Sequence, residues 1–307
     1  MKFKLKNTLA VALSLVLVLV LAACGGSGAS SSSQAAPASS GEAAPAESSA
    51  PVKLETLTVG ASPAPHAEIL EQAREDLAAL GYDLRIQEFT DYVLPNMALD
   101  SGDLDANFFQ HEPYLNVFNE ENKTDIASAA SIHVEPLGFY LGKAGEDAKA
   151  IDISSPEKLL EAVADGAKIA IPNDPSNGAR GLLLLEHLGI IKLTPEIGLK
   201  ATVKDIVENP KNVVVTELEA AQIPRAIQDV DFAVINGNYA IDAGVTDRLI
   251  TTEASDSQGA QAYANIIAVR SADVQSDKTK ALVQALQSEK VKAFIEAQYA
   301  PLAYPAF

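Results

Sequence analysis

The chain has 307 residues, of which 48% are hydrophobic and 6% aromatic, and it carries 41 acidic against 23 basic residues, a formal net charge of −18. Such an acidic chain repels nucleic acid and anionic lipid head groups, which argues against both as partners of a folded body. It has one cysteine, which excludes an intramolecular disulfide framework and a site built from several thiolates.

The first residues follow the pattern of an export signal. Three lysines within the first six residues precede the apolar run 9–23, which is too short to cross ~30 Å of hydrocarbon as an ordinary helix. The run ends in Leu-Ala-Ala and is followed by Cys24. We predict a signal peptide at 1–23, cleavage before Cys24 and acylation of its thiol. An uncut membrane anchor is the alternative.

The segment after the cysteine is rich in Ser, Ala, Gly and Pro and has no aromatic residue. It buries too little apolar surface to offset the entropy of ordering, so we predict that 24–52 comprises the lipidated cysteine and a flexible linker. The body from Lys53 to Phe307 is long enough for one large domain or two of ordinary size.

Strand and helix patterns alternate along the first part of the body. Apolar residues at helical spacing and short β-prone runs predict strands at 56–59, 84–89 and 104–109 and helices at 65–80 and 93–99. The order is therefore βαβαβ.

The same alternation returns in the second part. It predicts helices at 155–164, 178–188 and 219–227, strands at 168–171, 213–215, 232–235 and 264–269, and one long helix at 277–298. Alternation of this kind favours mainly parallel sheets covered by helices, with a ligand beyond the carboxyl ends of the strands. The loops expected there are 62–66, 90–92, 110–114, 173–180 and 236–239.

Arg180 lies in the expected first turn of the helix 178–188, where the helix dipole already supplies positive charge. A ligand carboxylate, held by the guanidinium and by free backbone N–H groups of that turn, would resolve the conflict. An ion pair with a nearby acid such as Asp174 would do so equally well.

Aromatic side chains are concentrated in two of the predicted loops. Tyr92, Phe108, Phe109, His111 and Tyr114 stand close together in a chain without tryptophan. Such a concentration predicts a pocket wall, suited to an apolar or thioether side chain. The adjacent phenylalanines alternate, so Phe108 is the one expected in the ordinary core.

Asn236 and Asn238 flank Gly237 directly after an apolar strand. Their amide oxygens could accept hydrogen bonds from an ammonium group. The sequence Asn-Gly-Asn is also typical of a tight turn, and that alternative stays open.

No pattern predicts a catalytic residue, a cofactor or a metal. The four histidines, His66, His111, His133 and His187, lack close ligand spacing, and the motifs of serine hydrolases, zinc peptidases and phosphate-binding loops are missing. A pairing of His66 or His111 with a distant carboxylate is invisible in sequence and remains open.

Several longer segments resemble the methionine-binding lipoproteins of ABC importers. They are VGASPAPHAEIL at 59–70, EFTDYVLPN at 88–96, LDANFFQH at 104–111, IPNDPSNGAR at 171–180, DIVENP at 205–210 and AVINGNYA at 233–240. The resemblance implies an α/β, two-lobed, periplasmic-binding-protein-like fold of type II, each lobe a mainly parallel sheet flanked by helices. It predicts lobe I at 53–138 plus 257–307 and lobe II at 139–256, with the ligand in the cleft.

The resemblance also implies roles for particular residues. It places Arg180 on the ligand carboxylate and Asn236 and Asn238 by the ammonium group. Asn177 is a further ligand-binding candidate, although it could instead only cap its helix. The side-chain pocket is implied to be lined by Tyr92, Phe109, His111 and Tyr114.

The expected function is therefore non-enzymatic. The resemblance implies a monomer that binds L-methionine and delivers it to an ABC permease with its cytoplasmic ATPase. The expected location is the cell membrane, facing the extracytoplasmic side and held by the lipid anchor only. D-methionine or a methionine-containing dipeptide remains open as the ligand, and more distant alternatives are an exported hydrolase, a metal-binding lipoprotein and a surface adhesin without a transport role.

Overall fold

A computed structural model describes residues 53–142, 148–254 and 262–307. The predicted signal peptide, Cys24 and the linker lie outside the described residues. None of the helices in the described ranges combines the length and the apolar character that crossing a bilayer requires.

Lobe I, as we use the name here, is built around a sheet with the strand order β13-β4-β12-β3-β1-β2. The first strand is parallel to β2 and β3, whereas β12 runs antiparallel to β3 and β4. The strands are β1 Glu55–Ala61, β2 Tyr82–Glu88, β3 Ala106–His111, β4 Ile126–Val134, β12 Ala264–Arg270 and β13 Tyr304–Pro305.

Lobe II is built around a second sheet with the order β11-β5-β10-β6-β9, and β7 and β8 form a small pair beside it. Here β6 is parallel to β9 and β10, while β5 is antiparallel to β10 and β11. The strands are β5 Gly138–Leu141, β6 Lys168–Pro172, β7 Lys192–Leu193, β8 Ile206–Glu208, β9 Val214–Leu218, β10 Phe232–Ile235 and β11 Leu249–Thr252.

Helices cover both sheets and bury a separate apolar core in each lobe. In lobe I they are α1 Glu68–Gln72, α2 Arg74–Ala79, α3 Leu94–Ser101, α4 Glu112–Asn122, α9 Asp277–Leu286 and α10 Glu289–Tyr299. In lobe II they are α5 Pro156–Ala162, α6 Pro175–His187, α7 Ile223–Ala226 and α8 Gly237–Asp242.

The chain passes from lobe I to lobe II between β4 and β5 and returns between β11 and β12. In lobe I, the last strand before the first crossing, β4, pairs antiparallel with the first strand after the return, β12. In lobe II, β5 pairs antiparallel with β11 in the same way. The two-lobed α/β fold is as expected, but its sheets are mixed, because these two pairs are antiparallel and the sequence analysis predicted only β12 among their four strands.

Four predicted helices differ clearly from the observed ones. The helix expected at 65–80 is interrupted at Ala73, and that expected at 277–298 ends at Leu286 and restarts where the Ser288 hydroxyl accepts a hydrogen bond from the N–H of Val291. The third, α6, begins at Pro175 instead of 178, because Asp174 accepts the N–H of Asn177 at its N-terminus. The fourth, expected at 219–227, is α-helical only in α7 and continues as a 3-10 turn on each side.

Candidate ligand-binding site

A narrow cleft lies between the lobes, with about 330 Å³ of space between its walls, part of it open to solvent. Its walls contain all eight residues for which the sequence predicted ligand contact, namely Tyr92, Phe109, His111, Tyr114, Asn177, Arg180, Asn236 and Asn238. They also contain Gln110, Glu135, Gly237 and Asn265, which the sequence analysis missed as site residues.

One wall of the cleft is aromatic and comes from lobe I. Alternation along β3 turns Phe109 to the cleft and Phe108 into the lobe I core, as the sequence predicted for Phe108. The ring of Tyr92 lies 5.7 Å from the rings of both Phe109 and Tyr114. The Tyr114 hydroxyl donates to the Tyr92 carbonyl at 2.9 Å, which fixes the two rings together.

A tyrosine of lobe II packs against this wall. The ring of Tyr239 packs against that of Tyr92 with centroids 4.7 Å apart, and its hydroxyl donates to the Thr90 carbonyl at 3.4 Å. Sequence reasoning did not assign Tyr239 a role, although it follows Asn238 in one of the motifs. The lobes therefore touch through aromatic rings as well as through polar groups.

His111 joins the lobes through a defined hydrogen bond. Its Nδ1 accepts the N–H of Tyr114 at 3.2 Å, so its Nε2–H donates to Oδ1 of Asn177 at 3.0 Å. Burial, and then the charge of Arg180, lower the pKa of His111 to about 3, so the ring is neutral at physiological pH. Asn177 does not cap α6, because Asp174 does.

The two asparagines after β10 point into the cleft. The Nδ2 of Asn236 donates to Oδ1 of Asn177 at 2.9 Å, while its own Oδ1 is buried and has no hydrogen-bond partner among the described residues. The Asn238 Oδ1 accepts the Tyr92 hydroxyl at 2.5 Å. Asn236 directly precedes α8 but makes no side-chain capping bond, so capping does not explain its side chain.

Arg180 lies in the second turn of α6, not in the first, because the helix begins earlier than predicted. The alternative of an ion pair with an acid of the protein holds, but the partner is not Asp174. The guanidinium forms an ion pair with Glu253, with Nε to Oε2 at 3.1 Å and a second contact from Nη2 to Oε1. The ring of Tyr263 covers the guanidinium carbon at 4.2 Å from its centroid.

A buried carboxylate belongs to the same cleft. Glu135 lies in the crossing between β4 and β5, and its Oε1 accepts from Nε2 of His133 at 2.7 Å. The Nε2 of His66 lies 3.4 Å from the same oxygen and donates to Oδ1 of Asn265 at 3.0 Å. The two imidazoles thus support Glu135 from the lobe I side.

The surroundings of Glu135 keep it charged. Burial by itself raises the pKa of this carboxyl, but His66, His133 and the N–H of Asn238 outweigh burial, so its pKa lies below the usual value. Burial lowers the pKa of His66 to about 4. A β-carbon at Gly237 would lie 2.8 Å from Oε2 of Glu135, so a larger residue here would have to displace this carboxylate.

His66, His133 and Glu135 are also the group within the described ranges whose donor atoms lie close enough to hold a metal ion. If both Nε2 atoms bound a metal, the ring protons would move to the Nδ1 atoms. Those atoms are buried and have no acceptor among the described residues. The geometry therefore fits a hydrogen-bonded carboxylate better than a metal centre, in which the outer ring N–H is normally paired.

The missed residues share one weak signal. Glu135, Asn265 and Gln110 are polar residues within or next to apolar strand segments, and they are buried in the structure. A buried polar residue requires a partner. The sequence does not reveal that these three share one cleft.

Comparison with known proteins places this site in context. The chain is 41% identical over 248 residues to the membrane lipoprotein TpN32 of Treponema pallidum, covering 81% of this chain and 87% of that protein. It is 38% identical over 227 residues to the D-methionine-binding lipoprotein MetQ of Escherichia coli K12, covering 73% and 78%. A nutrient-binding protein of Burkholderia cenocepacia, solved with methionine bound, has a TM-score of 0.73 and 42% identity, covering 82% of this chain and all of that one.

The family model of the NlpA lipoproteins matches residues 57–307, which includes every cleft residue named above. Several relatives are named D-methionine-binding lipoproteins, a name that describes a binding protein and not an enzyme, and the Burkholderia structure shares the two-lobed α/β fold. The chain therefore belongs to the NlpA lipoprotein family, as a non-enzymatic substrate-binding member.

Proposed function

We propose that this protein is the substrate-binding lipoprotein of an ABC importer and that it binds L-methionine between its lobes. The observation that carries the proposal is the composition of one cleft, which holds a cation, a buried carboxylate and an aromatic wall. These groups match the carboxylate, the ammonium and the thioether of a zwitterionic methionine.

The ammonium end is assigned to Glu135 together with the asparagines. The carboxylate of Glu135 supplies a full negative charge, and Oδ1 of Asn236 is a buried acceptor without a partner in the described structure. An ammonium donates three hydrogen bonds, so it would satisfy both groups at once. In our proposal Asn238 and Asn177 complete this side of the cleft.

The thioether end is assigned to the aromatic wall. Sulfur packs favourably against the edges of aromatic rings, and Tyr92, Phe109, Tyr114 and the neutral His111 present such edges. Arg180 is assigned to the ligand carboxylate. The ligand would then touch both lobes, which is what couples binding to closure by a hinge at the two crossings.

The transport role extends the proposal to partners. We infer that acylated Cys24 holds the protein at the membrane on the extracytoplasmic side, and that the closed form docks on a permease driven by a cytoplasmic ATPase. Supporting this are the family membership and the lipoprotein relatives. Metabolic labelling with palmitate is expected to mark the wild-type protein but not Cys24→Ser, and label on both would contradict the anchor.

Calorimetry tests the ligand assignment. The purified protein is unfolded and refolded to remove carried ligand, then titrated with L-methionine, D-methionine and glycyl-methionine. We expect L-methionine to bind most tightly. Tighter binding of D-methionine, which is the ligand in the names of several relatives, or of the dipeptide would keep the binding role and overturn the L-methionine assignment.

A further inference from the structure

We propose that Glu253 is a built-in competitor for Arg180, which a ligand carboxylate must displace before it can form a bidentate pair with Nε and Nη2. This inference rests on the proposed function, because it assumes that the ligand carboxylate goes to Arg180. It makes Glu253 a residue that sets affinity and selectivity without itself being a ligand contact.

The position of Glu253 is fixed by the two crossings. It follows β11, where the chain begins its return to lobe I. Its Oε1 accepts the N–H of Leu137 in the other crossing at 3.0 Å, and its own N–H donates to the Leu137 carbonyl at 3.0 Å. The carboxylate is therefore held beside Arg180 by main-chain contacts that do not depend on a ligand.

The hydrogen-bonding edge of Arg180 is already in use. Its Nε and Nη2 face Glu253, and Nη2 also donates to the Glu135 carbonyl at 2.8 Å. The remaining nitrogen, Nη1, makes no hydrogen bond to any residue in the described ranges. A carboxylate that enters the cleft can reach Nη1, but the second Nη2 hydrogen is already on the Glu135 carbonyl, and the Nε–Nη2 edge becomes available only if Glu253 leaves.

The competition has a measurable charge signature. The side chains of Arg180 and Glu253 are 4% and 17% exposed, so a second carboxylate beside them is screened only weakly by water. An incoming carboxylate must therefore break the ion pair between Arg180 and Glu253 or bind next to the negative charge of Glu253. A ligand with a neutral carboxamide in place of the carboxylate is repelled less by Glu253 and competes less with it for Arg180.

The test is Glu253→Gln, which removes the charge but keeps an oxygen that can accept from Leu137. Glu217→Gln on the exposed strand β9 is the matched control, because it makes the same change in net charge. The full chain is titrated by calorimetry with L-methionine and with L-methioninamide. We expect Glu253→Gln to bind L-methionine about ten-fold more tightly, which corresponds to ~1.4 kcal/mol.

For L-methioninamide we expect at most a two-fold change in either variant. Unchanged or weaker methionine binding by Glu253→Gln, or equal gains for both compounds, would overturn the inference while leaving methionine binding intact. A wild-type protein that binds no methionine would overturn the proposed function itself.

A second measurement covers the case in which Glu253→Gln does not fold. In a crystal structure of the wild-type protein with L-methionine, we expect the ligand carboxylate on Nε and Nη2 of Arg180 and Glu253 moved away from them. Glu253 still on both nitrogens would contradict the displacement.

Discussion

The two walls of the cleft are built in different ways. In lobe I, Tyr92, Phe109 and Tyr114 pack against one another, and Tyr114 is tied to the main chain of Tyr92. In lobe II, polar groups dominate, and Asn177, Arg180 and Asn238 each have a partner on lobe I or on the crossings. The comparison teaches that the aromatic wall is formed within its own lobe, whereas the polar wall consists of groups whose partners a ligand can replace.

The contact between Tyr92 and Asn238 illustrates the difference. The Tyr92 ring is held by its own lobe, but its hydroxyl reaches across to the Asn238 amide. His111 and Asn177 make a second bond of the same kind. These hydrogen bonds join the two lobes across the cleft. A bound ligand therefore has to replace them or fit between the residues that make them.

The largest effect is expected from a substitution in the polar wall. Arg180→Ala should weaken L-methionine binding by about 3 kcal/mol, because it removes a charged donor to the ligand carboxylate. Arg225→Ala, on the short helix α7 outside the cleft, is the control and should change affinity little. Calorimetry measures both variants, and equal affinities would contradict the assignment of the carboxylate.

The second prediction concerns the support beneath Glu135. His66 has a pKa of about 4 in the folded protein, below the ~6.5 of an unfolded histidine, so the unfolded state takes up a proton first as the pH falls. The contribution of His66 to the free energy of unfolding is complete above about pH 6.5 and is lost as the pH falls towards 4. Between pH 7 and pH 5, these two pKa values correspond to a loss of about 2 kcal/mol in the free energy of unfolding.

Urea unfolding of ligand-stripped protein at pH 7 and pH 5 measures this effect. His66→Gln should lose less stability over this interval than the wild type, whereas His187→Gln, at an exposed position, should behave like the wild type. Identical pH dependence in all three proteins would show that His66 does not carry the effect. The pKa of His111 is also lowered, so His111 adds to the change of the unfolding free energy with pH, and this contribution remains in both variants.

The third prediction separates charge from shape at the ammonium end. Glu135→Gln should weaken L-methionine binding by about 1.5 kcal/mol, because a neutral amide replaces the counter-charge while Asn236 still offers an acceptor. Titration with N-acetyl-L-methionine provides the comparison. If Glu135→Gln discriminates between the two compounds as strongly as the wild type does, Glu135 does not pair with the ammonium.

The smallest expected effect lies where the walls meet. Tyr92→Phe keeps the ring and removes the hydroxyl that donates to Asn238, so we expect binding weaker by about 1 kcal/mol. Tyr304→Phe, at the edge strand β13 of lobe I, is the control. A loss as large as that of Arg180→Ala would mean that the aromatic wall depends on the polar one.

Local pattern was enough for the elements that position the site. The strands β1, β3 and β10 and the helix that carries Arg180 follow from short-range periodicity, although β1 and β3 end two residues later than predicted. One error was also local in origin. The start of α6 was placed three residues late because the cap at Asp174 was overlooked, and that error moved Arg180 into the wrong turn.

The sequence by itself determined the alternation of strands and helices, the concentration of aromatic residues after two strands and the family, because periodicity and motifs are properties of neighbouring residues. Only the tertiary structure decided that Glu135, from one crossing, shares a cleft with Arg180, and that Glu253, from the other, pairs with it. Glu253 lies 73 positions from Arg180 along the chain, and its carboxylate reaches the guanidinium because the two crossings run side by side. Long-range pairing of charges depends on how the sheets are connected, and no local pattern encodes it.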